Sequence, residues 1–131
     1  MSTYKRFEDL PCWQNARRFA AKANAVIENS KIKQSFKLRD QMLGSSGSVM
    51  DNIAEGFDRN SNAELVRFLF ISKGSAAEFK SQSYRALDAE WIDQASFEQL
   101  SKMAQDIGEE LGTFIRYLQK SGMKGSRYIR N

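Results

Sequence analysis

The sequence has no histidine, one cysteine, one proline and eight glycines in 131 residues. Each shortage excludes something. Without histidine there is no Ser-His-Asp or Cys-His nucleophile pair, no histidine-ligated haem and no zinc site built on imidazole. A lone Cys12 allows neither an intrachain disulfide nor a cysteine cluster, and it agrees with a reducing compartment. Pro11 and so few glycines are too little turn chemistry for a sandwich or barrel. No run approaches the roughly 18 consecutive apolar residues of a membrane span. Met1 to Lys5 carry no apolar signal region. A soluble, cytoplasmic, single-domain protein is the expectation, with 41% hydrophobic residues to fill one core.

What the chain does have is charge, unevenly placed. Residues 1–40 carry nine basic and four acidic side chains, residues 41–115 six and twelve, and residues 116–131 five and none. The formal +4 is therefore +5, −6 and +5 in succession. Both ends are basic and the middle is acidic.

Hydrophobic spacing predicts four helices. The first spans about 11–29, capped by Asp9 with Pro11 in its first turn, and Trp13, Ala16, Ala20, Ala23 and Ile27 form its stripe. A second, about 33–58, places Leu38, Met42, Ser45, Val49, Ile53 and Phe57 inward. Its Gly44-Ser45-Ser46-Gly47-Ser48 run has loop composition, but the period continues through it, so it reads as a helix with a small-residue face. The third begins at the capping box Ser61 to Glu64 and ends near Glu90. The fourth begins at a second box, Ser96 to Gln99, and carries Phe97, Leu100, Ala104, Ile107, Leu111, Phe114 and Leu118 as a heptad seam stopped by Gly122. Amphipathic helices of this length with short connections make an all-α, antiparallel, up-down-up-down four-helix bundle over 1–122. Residues 123–131 form a basic, mobile tail.

The string Asp51-Asn52-Ile53-Ala54-Glu55-Gly56-Phe57, then Arg59, Arg67-Phe68-Leu69 and Gly74-Ser75-Ala76-Ala77-Glu78, resembles the four-helix-bundle proteins encoded by intervening sequences in bacterial 23S ribosomal RNA genes. Phe7-Glu8-Asp9-Leu10 and Trp13-Gln14 match that family's start, and the resemblance covers about residues 4–118. The family is similar to the accessory variability proteins of diversity-generating retroelements, which form pentameric barrels and work with a reverse transcriptase and nucleic acid. The resemblance thus implies a homo-pentamer and association with RNA or DNA. It carries over no catalytic residue. One departure is visible: many relatives have two basic residues directly after the Met42 position, where this chain has Leu43 and Gly44.

Asn52, Glu55, Ser75 and Glu78 are polar positions on or beside the seams of the second and third helices. They suit a hydrogen-bond network that fixes register, a subunit contact, or a carboxylate pair for metal or acid–base work. Di-iron bundles also need Glu-x-x-His ligands, so the structural network is the reading adopted. No catalytic residue, metal, cofactor or small-molecule substrate is expected. Arg17, Arg18 and Lys22 suit either a phosphate-contacting stripe or a solvated helix face. Lys31, Lys33, Lys37 and Arg39 cluster at the first turn. In the expected topology Lys5, Arg6, Arg59, Lys120, Lys124, Arg127 and Arg130 gather at one end, with Tyr4, Tyr117 and Tyr128 as rings on which unpaired bases could stack. The leading reading is a non-enzymatic, oligomeric accessory or structural protein contacting nucleic acid through basic ends. The alternative is an assembly module without a nucleic-acid role.

Overall fold

The computed structural model describes residues 4–121. Its long elements are α1 (Pro11–Glu28), α2 (Phe36–Asp58), α3 (Asn62–Asp88) and α4 (Gln94–Lys120), with 3-10 turns at Phe7–Asp9 and Lys31–Gln34. Each helix packs on the next in sequence, and α4 closes on α1. This is the up-down-up-down bundle that the hydrophobic spacing predicts. Its centre is aromatic and aliphatic: Phe19, Phe57, Phe79, Met42, Leu69, Leu100 and Leu111 are all fully buried. Phe19 of α1 meets Phe79 of α3 edge to face at 4.9 Å, tying diagonal helices together.

The helix starts differ from expectation in three places, each for a local reason. Asp9 does not cap α1. A residue before proline is pushed to extended backbone, so Leu10, at φ −72° and ψ 124°, occupies the cap position and buries its side chain instead. Asp9 is taken up in the preceding 3-10 turn. The second helix begins at Phe36 rather than near Lys33, because two serines divide the connection. Ser30 accepts from the Ile32 N–H to cap the short turn, and Ser35 accepts from the Leu38 N–H to cap α2. The fourth helix is capped by Asp93, whose Oδ1 accepts the Ser96 N–H at 2.8 Å, so Ser96 lies inside the first turn. Gly122 lies outside the described residues.

Ser61 caps α3, accepting the Glu64 N–H at 3.4 Å, but the box is half made, because the Glu64 carboxylate turns to Arg67 and Arg59. The Gly44–Ser48 run is helical throughout. Its serines, not its glycines, face inward: Ser45 and Ser46 are buried, whereas a Cβ on Gly44 or Gly47 would meet nothing within 4 Å. The glycine that lets helices approach is Gly56, where a Cβ would stand 2.6 Å from the Cβ of Phe68. The α3–α4 turn closes with Trp91 N–H bonded to the Ala86 carbonyl and Glu90 N–H to that of Leu87. This is the Schellman pairing, with Glu90 at φ 60° where glycine is usual.

Candidate nucleic-acid interface and the polar seam

Helix order decides which cations can act together. The Lys31 N–H donates to the Trp91 carbonyl at 3.2 Å, so the α1–α2 and α3–α4 turns meet at one end. The start of α1, the α2–α3 turn and the end of α4 share the other. Lys5, Arg6, Arg59 and Lys120 lie at that second end, all exposed. They are not equally available. Arg59 bonds Glu55 at 3.0 Å and lies 3.9 Å from Glu64, with its guanidinium 4.9 Å from the Phe68 ring centre. Arg67 covers the same ring at 4.6 Å and reaches Glu64 at 3.3 Å. The Arg67 hydrogen bond, with Arg67 and Arg59 charges behind it, holds the Glu64 carboxyl below its ordinary value. Arg59 therefore belongs to a neutralised surface cluster. Arg6 has only a long contact, 3.8 Å, to Asp9. Lys124, Arg127, Arg130 and Tyr128 lie outside the described residues.

The α1 stripe divides. Arg17 and Arg18 are exposed and, with Arg6, line a shallow hollow of about 560 Å³ floored by Trp13. The Arg17 guanidinium lies 5.8 Å from the Trp13 ring centre, and Arg18 donates to Asn15. Glu8 is the carboxylate in that hollow. Lys22 lines a different hollow, with Trp91 and Asp93 towards the opposite end. Sequence spacing groups Arg17, Arg18 and Lys22; the fold groups Arg6 with Arg17 and Arg18. At the far end Arg39 is bound by Glu28 at 2.9 and 3.0 Å, which lowers the Glu28 carboxyl pKa through that hydrogen bond. Lys31, Lys33 and Lys37 there are exposed, beside a Phe36 that is 80% exposed.

Tyr4 and Tyr117 share a hollow of about 430 Å³ with Cys12, Phe114 and Glu110. Burial pushes the Cys12 thiol up to about 12. It is protonated at neutral pH and serves packing.

Asn52 and Ser75 are brought together through Ser48. The Asn52 amide donates to the Ser48 carbonyl and hydroxyl at 2.8 Å each, and the Ser48 and Ser75 hydroxyls are 2.9 Å apart. Ser45 donates to Gln82 at 2.7 Å, and Ser72 donates to the Val49 carbonyl at 2.7 Å. The α2–α3 seam is thus stitched by short side chains. Glu55 and Glu78 do not join it: both are exposed, and Glu55 pairs with Arg59. Among the described residues no group of three or more His, Cys, Asp or Glu side chains is placed to hold a metal. No helix there is long and apolar enough to cross a membrane.

Sequence reasoning missed Lys73, Lys80 and Arg116, which face one groove between α3 and α4. They lie in or beside the stretch whose average charge is negative. The signal that finds them is local: none has a carboxylate three or four residues away on its own helix.

Among solved structures, the bundle is similar to a crystal structure of a protein of unknown function from the S23 ribosomal protein family of Bacteroides thetaiotaomicron VPI-5482. The TM-score is 0.73 at 21% identity, covering 80% of this chain and 98% of that one, a likeness of fold. No curated protein matches the chain. The sequence model of the 23S rRNA-intervening sequence proteins matches residues 8–113, from the 3-10 turn to the last turns of α4. The chain belongs to the 23S rRNA-intervening sequence protein family.

Proposed function

We propose that this protein is a non-enzymatic, self-associating bundle of the cytoplasm that contacts RNA or DNA through its basic end. The observation that carries the reading is the convergence of Arg6, Arg17 and Arg18 around Trp13, with Lys5 and Lys120 exposed at the same end. Guanidinium groups gathered in one hollow are the chemistry of phosphate contact, and the buried Trp13 beneath them supports Arg17. The chain continues past Lys120 with Lys124, Arg127 and Arg130 and no acidic residue, which adds to the charge available. Self-association is supported by the outward glycines Gly44, Gly47 and Gly74, which no intramolecular contact requires. The exposed Phe70 and Ile71 beside Gly74 add apolar surface. A pentameric ring, the form implied by family resemblance, would repeat the basic end around an axis, and weak contacts would then sum.

The test is retention on a mixed-RNA column across a salt series, with the mass read by light scattering. Retention that weakens as salt rises, and a mass near five times the 15.0 kDa of one chain, are expected. Failure to bind at low salt would defeat the nucleic-acid half and leave the assembly module, the reading favoured by the outward glycines alone. A mass near 15.0 kDa would defeat the assembly half.

A further inference from the structure

The groove between α3 and α4 gathers three cations that no carboxylate pairs among the described residues. Two other cations of these helices are answered locally, Arg67 by Glu64 and Lys102 by Asp106, each one helical turn away. Lys73, Lys80 and Arg116 are not. Their helical neighbours at three and four residues are Leu69, Phe70, Ala76 and Ala77; Ala76, Ala77, Ser83 and Tyr84; and Gly112, Thr113, Gln119 and Lys120. No ion pair to any of the three is found among the described residues.

The fold aims Lys73 and Arg116 at one another. The Lys73 Cε and the Arg116 Nη1 lie 3.3 and 3.4 Å from the point where a Gly112 Cβ would stand, so two positive groups converge over one notch. Like charges repel, and this arrangement is relieved by an anion set between them. The polar contacts already made leave these cations charged: Arg116 donates to the Thr113 hydroxyl at 3.2 Å, and Lys80 donates to Gln105 at 2.9 Å. The carboxylate in the groove, Glu109, accepts from Gln105 at 2.8 Å. Lys80 sits seven residues from Lys73, about 10.5 Å along α3 at 1.5 Å per residue. A single phosphate cannot satisfy both ends of that separation; a repeating anion can. Beyond Lys80 stands Tyr84, half exposed and braced edge to face on Phe97 at 4.7 Å. The floor of Ala77, Ala104 and Gly108 is small, so a backbone can lie close to the helices, in a groove of about 790 Å³.

We infer that the α3–α4 groove is a track for the phosphodiester backbone of single-stranded nucleic acid. One phosphate lies over the Gly112 notch between Lys73 and Arg116, another lies at Lys80, and a base stacks on Tyr84. This rests on the nucleic-acid half of the proposed function but uses a separate set of residues. The experiment is a fluorescence anisotropy titration of the full chain with a short labelled oligothymidylate over a salt series. The triple variant Lys73→Gln, Lys80→Gln, Arg116→Gln should bind roughly tenfold or more weakly, with the salt slope reduced by about 1.4, since two phosphates lose their partners and each phosphate neutralised on a single strand contributes ~0.7 to that slope. Tyr84→Leu should weaken binding about fivefold or more with the slope unchanged, as expected when a stacking ring is removed. Helical circular dichroism should match wild type in both, because these side chains are outside the core.

The control is Arg6→Gln, Arg17→Gln, Arg18→Gln. If that variant loses affinity and slope while the groove triple keeps both, the groove inference is overturned and the basic-end reading stands. If the groove triple alone loses them, the groove is the site and the basic end is not. Wild-type chain that ignores the oligonucleotide at low salt overturns both. Polyglutamate binding as tightly as the oligonucleotide, with the same sensitivity to the triple variant, also overturns the inference, because the groove then takes an acidic peptide.

Discussion

Gly56 and Gly47 have the same side chain and opposite roles. A Cβ at Gly56 would stand 2.6 Å from the Phe68 Cβ, 3.2 Å from a Leu65 methyl and 3.4 Å from the Leu65 Cα, so α2 and α3 would have to part. Gly56→Ala should cost about 1–3 kcal/mol, as overpacking usually does. At Gly47 nothing of the same chain lies within 4 Å, and Gly47→Ala should raise the stability of the isolated chain by up to about 1 kcal/mol through helix propensity, measured at a concentration where subunits are apart. Urea midpoints of the two variants should move in opposite directions. A Gly56→Ala midpoint equal to wild type would show that the helices have slack at that crossing. The Asn-Ile-Ala-Glu-Gly string is legible as a family signature, yet its physical reason is not. That reason depends on which residue of α3 comes opposite Gly56, and spacing within one helix holds no such information. The same gap explains Glu55 and Glu78. Their positions near the apolar seams suggest membership of a buried network, but a helical residue one step off the seam already faces water. Ser48, which joins Asn52 to Ser75, sits in a run with loop composition.

At the scale of elements, the helices are readable because their stripes are long. Their starts are harder to read, because caps are decided by one or two residues. Pro11 moves the α1 cap to Leu10, and Asp93 pre-empts Ser96 at α4. The Asp93 cap has a consequence in acid. The Ser96 backbone N–H, then its hydroxyl, holds the Asp93 carboxyl below the ordinary 3.8, while Arg39 holds Glu28 and Arg67 holds Glu64 below the ordinary 4.5. A carboxyl depressed in the folded state stabilises it fully above the unfolded value and ceases to do so as pH falls through the folded value. Stability to urea should therefore be level from pH 7 to about 5 and decline below about 4.5. Asp93→Asn should keep a cap at neutral pH and remove its share of the acid sensitivity, since an amide oxygen still accepts the Ser96 N–H without titrating. Identical acid profiles for Asp93→Asn and wild type would assign the decline to the other carboxylates.

For the whole molecule, the topology converts a charge sequence into a charge surface. Dividing the chain into basic, acidic and basic stretches locates the end where Lys5, Arg6 and Lys120 lie, because bundle connectivity alone brings the first and last helical segments together. It does not locate the α3–α4 groove, where Lys73, seven residues from Lys80 on one helix, meets Arg116 from the neighbouring helix. Averaging over a stretch erases a pattern that recurs once per two turns. The two proposed contact regions can be tested apart, and truncation addresses the residues that follow Ser121 without touching the groove. Ending the chain after Ser121 leaves α4 complete to Lys120 and removes Lys124, Arg127 and Arg130. Thermal unfolding should be unchanged, because no residue of the buried core lies beyond Leu118 among those described. Elution from an RNA column should shift to lower salt, by more than one chain's three charges would give if subunits act together, since a loss repeated around an assembly multiplies in the binding constant. Elution at the wild-type salt concentration would remove the C-terminal residues from the interface, leaving the Arg6, Arg17 and Arg18 hollow and the groove as its two candidate surfaces.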